Sequence, residues 1–228
     1  MSKENRKLIQ YLGIIFIAVL LTYKLPHDSY SIIQYIIPPI KINNGAIYLS
    51  GIVLLILFII GIKGLFKLER FADKSKLLIV ITVILIIIPL IRWTLDFSRT
   101  NYHWIKGDGL EAIDIKESNI RLSSTDDKMT IIISLELKDY GRKQNKFKIR
   151  VYLPESLKVY TGKEYYDLES YYYTHGGRNI SKIQESIIIK LSNNYEEIQL
   201  FDSKWHWEDL EFELYNNEEN IKIVQHGL

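Results

Sequence analysis

Residues 77–95 read LLIVITVILIIIPLIRWTL, and they divide the chain. From Leu77 to Ile91 there is no charge, and only Thr82 and Pro89 interrupt a run of Leu, Ile and Val. Each such residue contributes roughly −0.3 to −0.6 kcal/mol at the centre of an inserted helix, so the run favours a bilayer by several kcal/mol. Arg92 and Trp93 follow at once, a cation and an indole suited to the headgroup level. Pro89 denies the Leu85 carbonyl its usual helical donor, so a bend or loosening is expected in the last turns.

Upstream, a basic tail (Lys3, Arg6, Lys7) leads into an apolar stretch over 8–23. A signal peptide starts in the same way, but no small-x-small cleavage site follows, so an uncleaved helix is expected. Residues 24–45 hold Pro26, Pro38, Pro39 and Asn43-Asn44-Gly45, which is breaker chemistry. Within them Ile32, Ile33, Ile36 and Ile37 recur at helical spacing, which predicts a short interfacial helix. Residues 46–62 are again uncharged and read as a second span. The pattern over 1–95 thus predicts three transmembrane helices, at about 8–23, 46–62 and 77–95.

Charge orients them. Residues 1–95 carry eleven Lys/Arg against four Asp/Glu, a net +7; with +2 for the whole chain, 96–228 carry −5. The tail and the 63–76 connector hold eight cations, whereas the other flanks hold five (Lys24, Lys41, Arg92, Arg99, Lys106). The excess puts tail and connector in the cytoplasm and residues 96–228 outside the cell membrane. The lipid bilayer is then one partner. Nucleic acid is not, because no basic stripe survives on the acidic half.

Beyond 95 the periodicity changes. Residues 96–109 read as a stalk, and 110–228 as an extracytoplasmic all-β domain. Met129, Ile131, Ile133, Leu135 and Leu137 alternate with polar residues, and Phe147, Ile149, Val151 and Leu153 repeat the pattern. Further strands are expected near 113–122, 167–174, 185–191, 197–201, 210–215 and 221–225, with turns at 124–128 and 139–145. About eight short strands suggest a β-sandwich, with an immunoglobulin-like variant as one option and a closed barrel as the alternative. The absence of cysteine rules out disulfides, Cys metal sites and the Cys…Trp…Cys framework of a true immunoglobulin domain.

Nothing in the sequence announces catalysis or a cofactor. His103, His175, His206 and His226 sit in no zinc spacing, and each reads as structural or as surface. The acidic pairs at 126–127, 196–197 and 218–219 fall in expected turns, and no GxSxG, P-loop, GxGxxG or SxxK occurs. The most unusual stretch is 160–178, where Tyr165, Tyr166, Tyr171, Tyr173, His175 and Arg178 surround Gly176-Gly177. Tyrosine and arginine offer large, rigid contact area with a polar handle, so this segment is the candidate partner-binding surface. Core packing of alternate tyrosines is the competing reading. Trp205-His206-Trp207 form a second aromatic cluster, read as packing.

The expected function is that of a non-enzymatic multi-pass membrane protein presenting an interaction domain to a protein partner in the membrane or envelope. The alternatives are an accessory subunit of a transporter or secretion complex acting through its helices, and an immunity-type protector; the empty motif search disfavours an envelope enzyme.

Overall fold

The computed structural model describes residues 2–42, 45–125, 128–190 and 208–226. The expected strand at 197–201 and the Trp205-His206-Trp207 cluster lie outside the described residues. The chain divides into two compact units. The first holds Met1–Leu25, Tyr30–Ile40 and Ile47–Arg99; the second holds Pro26–Ser29, Lys41–Ala46 and Thr100–Leu228.

In the first unit a helix runs over Lys3–Leu21, with Ser2 accepting from the Asn5 N–H as its N-cap. A five-residue helix follows at Ile32–Ile36, where Ser31 and Gln34 form a capping box. Strands β1 (Ile40–Ile42) and β2 (Gly45–Ile47), which fall mostly in the second unit, pair as a two-stranded ribbon, and the next helix of the first unit spans Ser50–Phe66. A continuous helix then occupies Lys76–Lys106. Within it Val83–Ile87 is a π-helical segment, in which the Ile88 N–H donates to the Val83 carbonyl. The loosening therefore sits in the turn before Pro89, and the helix passes through the proline unbroken.

These lengths correct the sequence reading. Among the described residues one helix, Lys76–Lys106, is long and apolar enough to cross a membrane, not three. The apolar part of the first helix, from Leu8 to its end at Leu21, spans 14 residues. At 1.5 Å per residue that is about 21 Å, short of a ~30 Å hydrocarbon core. The middle helix loses its expected first turn to β2, begins at Ser50, and has 17 residues including Lys63. The third exceeds its expected length because nothing in residues 96–106 breaks a helix; it stops before Gly107, whose φ is +111°. Of the expected stalk at 96–109, residues 96–106 are helical and continue this segment.

Inside the first unit, Ile15, Ile62, Leu65, Leu68, Ile79 and Val83 form a small buried cluster. Gly61 and Gly64 let the first and middle helices approach: a Cβ on Gly64 would overlap the Tyr11 ring, and one on Gly61 would sit 2.6 Å from Ile15 Cγ1. Much of the remaining surface is apolar, with Leu55, Leu77 and Leu85 57%, 67% and 68% exposed.

Among the described residues of the second unit, two antiparallel sheets enclose one core. Strands β3 (Ile113–Thr125), β4 (Lys128–Asp139) and β8 (Asn179–Lys190) form one, in the order β3-β4-β8. The other has the order β10-β9-β5-β6, from β5 (Asn145–Tyr152), β6 (Tyr165–Asp167), β9 (Leu210–Tyr215) and β10 (Asn220–Gln225); β7 (Tyr172–Thr174) also pairs with β5. Alternation along β4 and β5 points Ile131, Ile133, Leu135, Phe147, Ile149 and Val151 inward, where they meet Phe212, Leu214 and Ile223. The domain is not all-β as expected. A helix at Glu155–Thr161 buries Leu157 in this core, and the last turn of the long helix contributes the fully buried His103. That seven-residue helix begins after Pro154 and ends on Gly162 at φ +63°, a start and stop that suit proline and glycine.

Candidate functional site

Because side chains alternate along β5, every second one faces away from the core: Lys146, Lys148, Arg150 and Tyr152. Register then sets their neighbours. Lys146 lies opposite Tyr173, Lys148 opposite Tyr215, Arg150 between Asp167 and Glu213, and Tyr152 between Tyr165 and Glu211. The result is a face of interleaved cations and rings. Lys146 and Lys148 stand 4.4 and 4.8 Å from the centre of the Tyr171 ring, and Lys146 is 5.7 Å from that of Tyr173. The Arg150 guanidinium lies 4.1 Å from the Tyr165 ring and 5.2 Å from that of Tyr215. Lys222 of β10 covers Tyr152 at 4.6 Å.

The charges are partly tied within the face. Arg150 donates from Nε to Asp167 Oδ1 at 2.7 Å and from Nη2 to Oδ2 at 3.2 Å, a two-point clamp. The clamp holds the Asp167 carboxyl below its ordinary range, against a smaller opposing effect of desolvation. Tyr152 donates to Glu213 Oε2 at 2.8 Å, and Arg150 Nη1 lies 3.5 Å from the same oxygen. No acid within the described residues forms an ion pair with Lys146 or Lys148, so this end of the face is cationic as well as aromatic.

The six residues singled out in the sequence separate here. Tyr165, Tyr171 and Tyr173 are exposed, at 40%, 55% and 48%, and belong to the face. Tyr166 is half-buried against the core, as is its unselected neighbour Tyr172. The Tyr172 ring packs on Phe147 and its hydroxyl donates to Glu185 Oε1 at 2.9 Å. Burial, reinforced by Glu185, pushes that hydroxyl well above the ordinary tyrosine value. His175 and Arg178 are exposed beside Gly176-Gly177. The Arg178 backbone, at φ +70°, donates to the Asp139 carbonyl at 2.8 Å, and Gly177 N–H donates to the Gly141 carbonyl at 2.7 Å. This turn is anchored by Asp139, which is fully buried and accepts from Gly141 N–H, Asn145 Nδ2 and Thr174 Oγ1.

A second constellation escaped the sequence reading. Within the second unit, His27, His103 and Asp114 bring two ring nitrogens and a carboxylate oxygen to within 4.8 Å of one another. His103 and Asp114 are buried, at 0% and 3% exposure, and His27 is half-buried. The three lie 76 and 11 residues apart and follow no motif spacing, so only the fold brings them together. His103 stacks on Tyr140, with ring centres 4.8 Å apart.

Compared with known proteins, the chain matches no family model and no curated relative.

Proposed function

We propose that this protein is a non-enzymatic, membrane-anchored protein that presents its strand-rich domain outside the cell membrane to an acidic protein partner. The aromatic–cationic face around Lys146, Lys148, Tyr171 and Tyr173 carries the reading. It combines exposed rings with two lysines that have no ion pair among the described residues. Exposed tyrosines supply contact area at low entropic cost, and the cations favour a partner surface of opposite sign.

The Lys76–Lys106 helix supports the membrane part, since its apolar residues are largely exposed in a protein otherwise able to bury Leu and Ile completely. Lys63, Lys67, Arg70, Lys74 and Lys76 cluster just before or at its start, against Arg92, Arg99 and Lys106 further on. That bias favours a cytoplasmic start and an external C-terminal domain.

The test is photocrosslinking in cells with the full chain, placing the crosslinker at position 171 or 173 and, as control, at exposed Ile180 on β8. A discrete adduct from 171 and 173 that Lys146→Glu abolishes is the expected result. Adducts of equal yield from Ile180, or none from the face, would sink the proposal.

A further inference from the structure

The three-residue constellation in the second unit has the chemistry of a metal centre. Imidazole nitrogens suit zinc and its transition-metal neighbours, whereas calcium and magnesium favour oxygen shells. Two histidines and one carboxylate are a recurrent ligand set for such ions, with a further position left for water.

Local bonding prepares both imidazoles for this. His27 Nε2 lies 2.8 Å from the Ile113 carbonyl oxygen, and His103 Nδ1 lies 3.0 Å from that of Glu111. A carbonyl only accepts, so each contact puts the ring proton on the nitrogen facing it and the lone pair on the other nitrogen. Metal-binding histidines are oriented by such backbone partners. In that tautomer His103 Nε2 presents a lone pair to Asp114 Oδ2, 3.1 Å away. Two acceptors at that distance call for a cation between them, either a proton or a metal ion. Tetrahedral ligands on bonds of about 2.0 Å stand ~3.3 Å apart. The His103–Asp114 edge already has that spacing, and the widest edge of the triangle, within 4.8 Å, closes by at most about 1.5 Å on that basis.

The backbone adds an independent observation. His27 is held at φ +60°, a conformation unfavourable for a side chain of its size, and its N–H donates to Asp114 Oδ1 at 3.1 Å. Strain of this kind persists where surrounding structure over-determines it, often at ligand sites. The same carboxylate thus meets His27 through one oxygen and His103 through the other.

We infer that His27, His103 and Asp114 bind one zinc-like divalent ion, which staples the 26–29 segment, the end of the long helix and the start of β3 within the second unit. No other group of three such ligands converges among the described residues. The nearest competitor is His226, which faces Asp209 at 2.9 Å and Asp28 at 3.4 Å.

The experiment uses the full chain in detergent, stripped with a chelator and titrated with Zn2+ by calorimetry and with Co2+ by visible absorption. Expected are one equivalent of Zn2+ per chain, intense d–d bands of a low-coordinate Co2+ site that Zn2+ displaces, and a thermal transition that rises with Zn2+. His27→Gln and Asp114→Asn remove a ligand. Each should weaken Zn2+ more than the ~10–100-fold that loss of an outer-shell partner costs, while His226→Gln leaves it unchanged. Circular dichroism of the stripped variants checks that they fold. The wild-type Co2+ spectrum carries the test even if a variant does not. Absence of saturable Zn2+ binding, equal competition by Ca2+ or Mg2+, or undiminished binding in folded His27→Gln would overturn the assignment.

Discussion

Three consecutive tyrosines give the sharpest test of which side of the five-stranded sheet is core and which is available. Tyr172 packs its ring on Phe147 and donates its hydroxyl to Glu185. Truncating a fully buried aromatic costs about 3–5 kcal/mol, so a half-buried ring loses roughly half of that. A hydrogen bond to a charged group adds about 1.5–3 kcal/mol. Tyr172→Ala should therefore destabilise the protein by about 3–5 kcal/mol, and Tyr172→Phe by about 1.5–3 kcal/mol, for the hydroxyl alone. Tyr171 is 55% exposed and has Lys146 and Lys148 over its ring. Exposed cation–π contacts are worth about 0.5–1 kcal/mol and the two lysines share one ring, so Tyr171→Ala should cost about 1 kcal/mol or less. Tyr173→Ala should behave like Tyr171→Ala. Urea unfolding of the full chain in detergent, followed by circular dichroism, gives the ranking. If Tyr171→Ala loses as much stability as Tyr172→Ala, the face is core and the binding proposal falls with it.

Two further outcomes follow from individual contacts. The Tyr172 hydroxyl is raised above the ordinary value of 10.0, by burial first and Glu185 second. Above about pH 10 the unfolded chain ionises this group while the folded one does not, so the stability it contributes at neutral pH drains away as pH rises. Wild type should accordingly lose stability in alkali more steeply than Tyr172→Phe, and parallel curves would show that the hydroxyl is not held as described. In the first unit, Gly64→Ala drives a methyl into the Tyr11 ring and should destabilise helix packing by about 1–3 kcal/mol. Gly51→Ala meets nothing within 4 Å and should be neutral or stabilising by up to ~1 kcal/mol. Thermal unfolding of the pair decides, and equal transitions would rule out the close approach at Gly64.

What the sequence discloses about the fold depends on how far each signal reaches. Period-two alternation at 129–137 and 147–153 is a local property, and all nine of those apolar residues are buried. Composition overstates the span count because helix length also depends on chain geometry. The expected span at 46–62 overlaps β2, whose pairing with β1 depends on residues a turn away. Within the expected stalk at 96–109, Asp96, Ser98 and Arg99 are tolerated on a helix surface, so the helix runs on to Lys106 and ends before Gly107, which takes a positive φ. The helix at 155–161 is too short for periodicity to reveal; its only local marks are Pro154 before it and Gly162 after it.

The candidate face was legible in composition but not in arrangement. Tyrosine density flagged 160–178, and alternation could have separated Tyr165 from Tyr166 and Tyr172 from Tyr173. The cations that convert those rings into a surface come from β5 and β10, as far away as Lys222, and they arrive through register. A slip of one residue between β5 and β6 would exchange Tyr165 for Tyr166 above Arg150 and release Asp167 from its clamp. Thr174 helps prevent a slip in β7: its hydroxyl reaches buried Asp139, which also holds Asn145 at the start of β5 and Gly141 in the turn before it. Asp139 appeared in the sequence only as the first residue of a polar turn. Its burial makes that turn the anchor that keeps Tyr173 opposite Lys146, so the polar network under the sheet and the exposed rings above it depend on the same register.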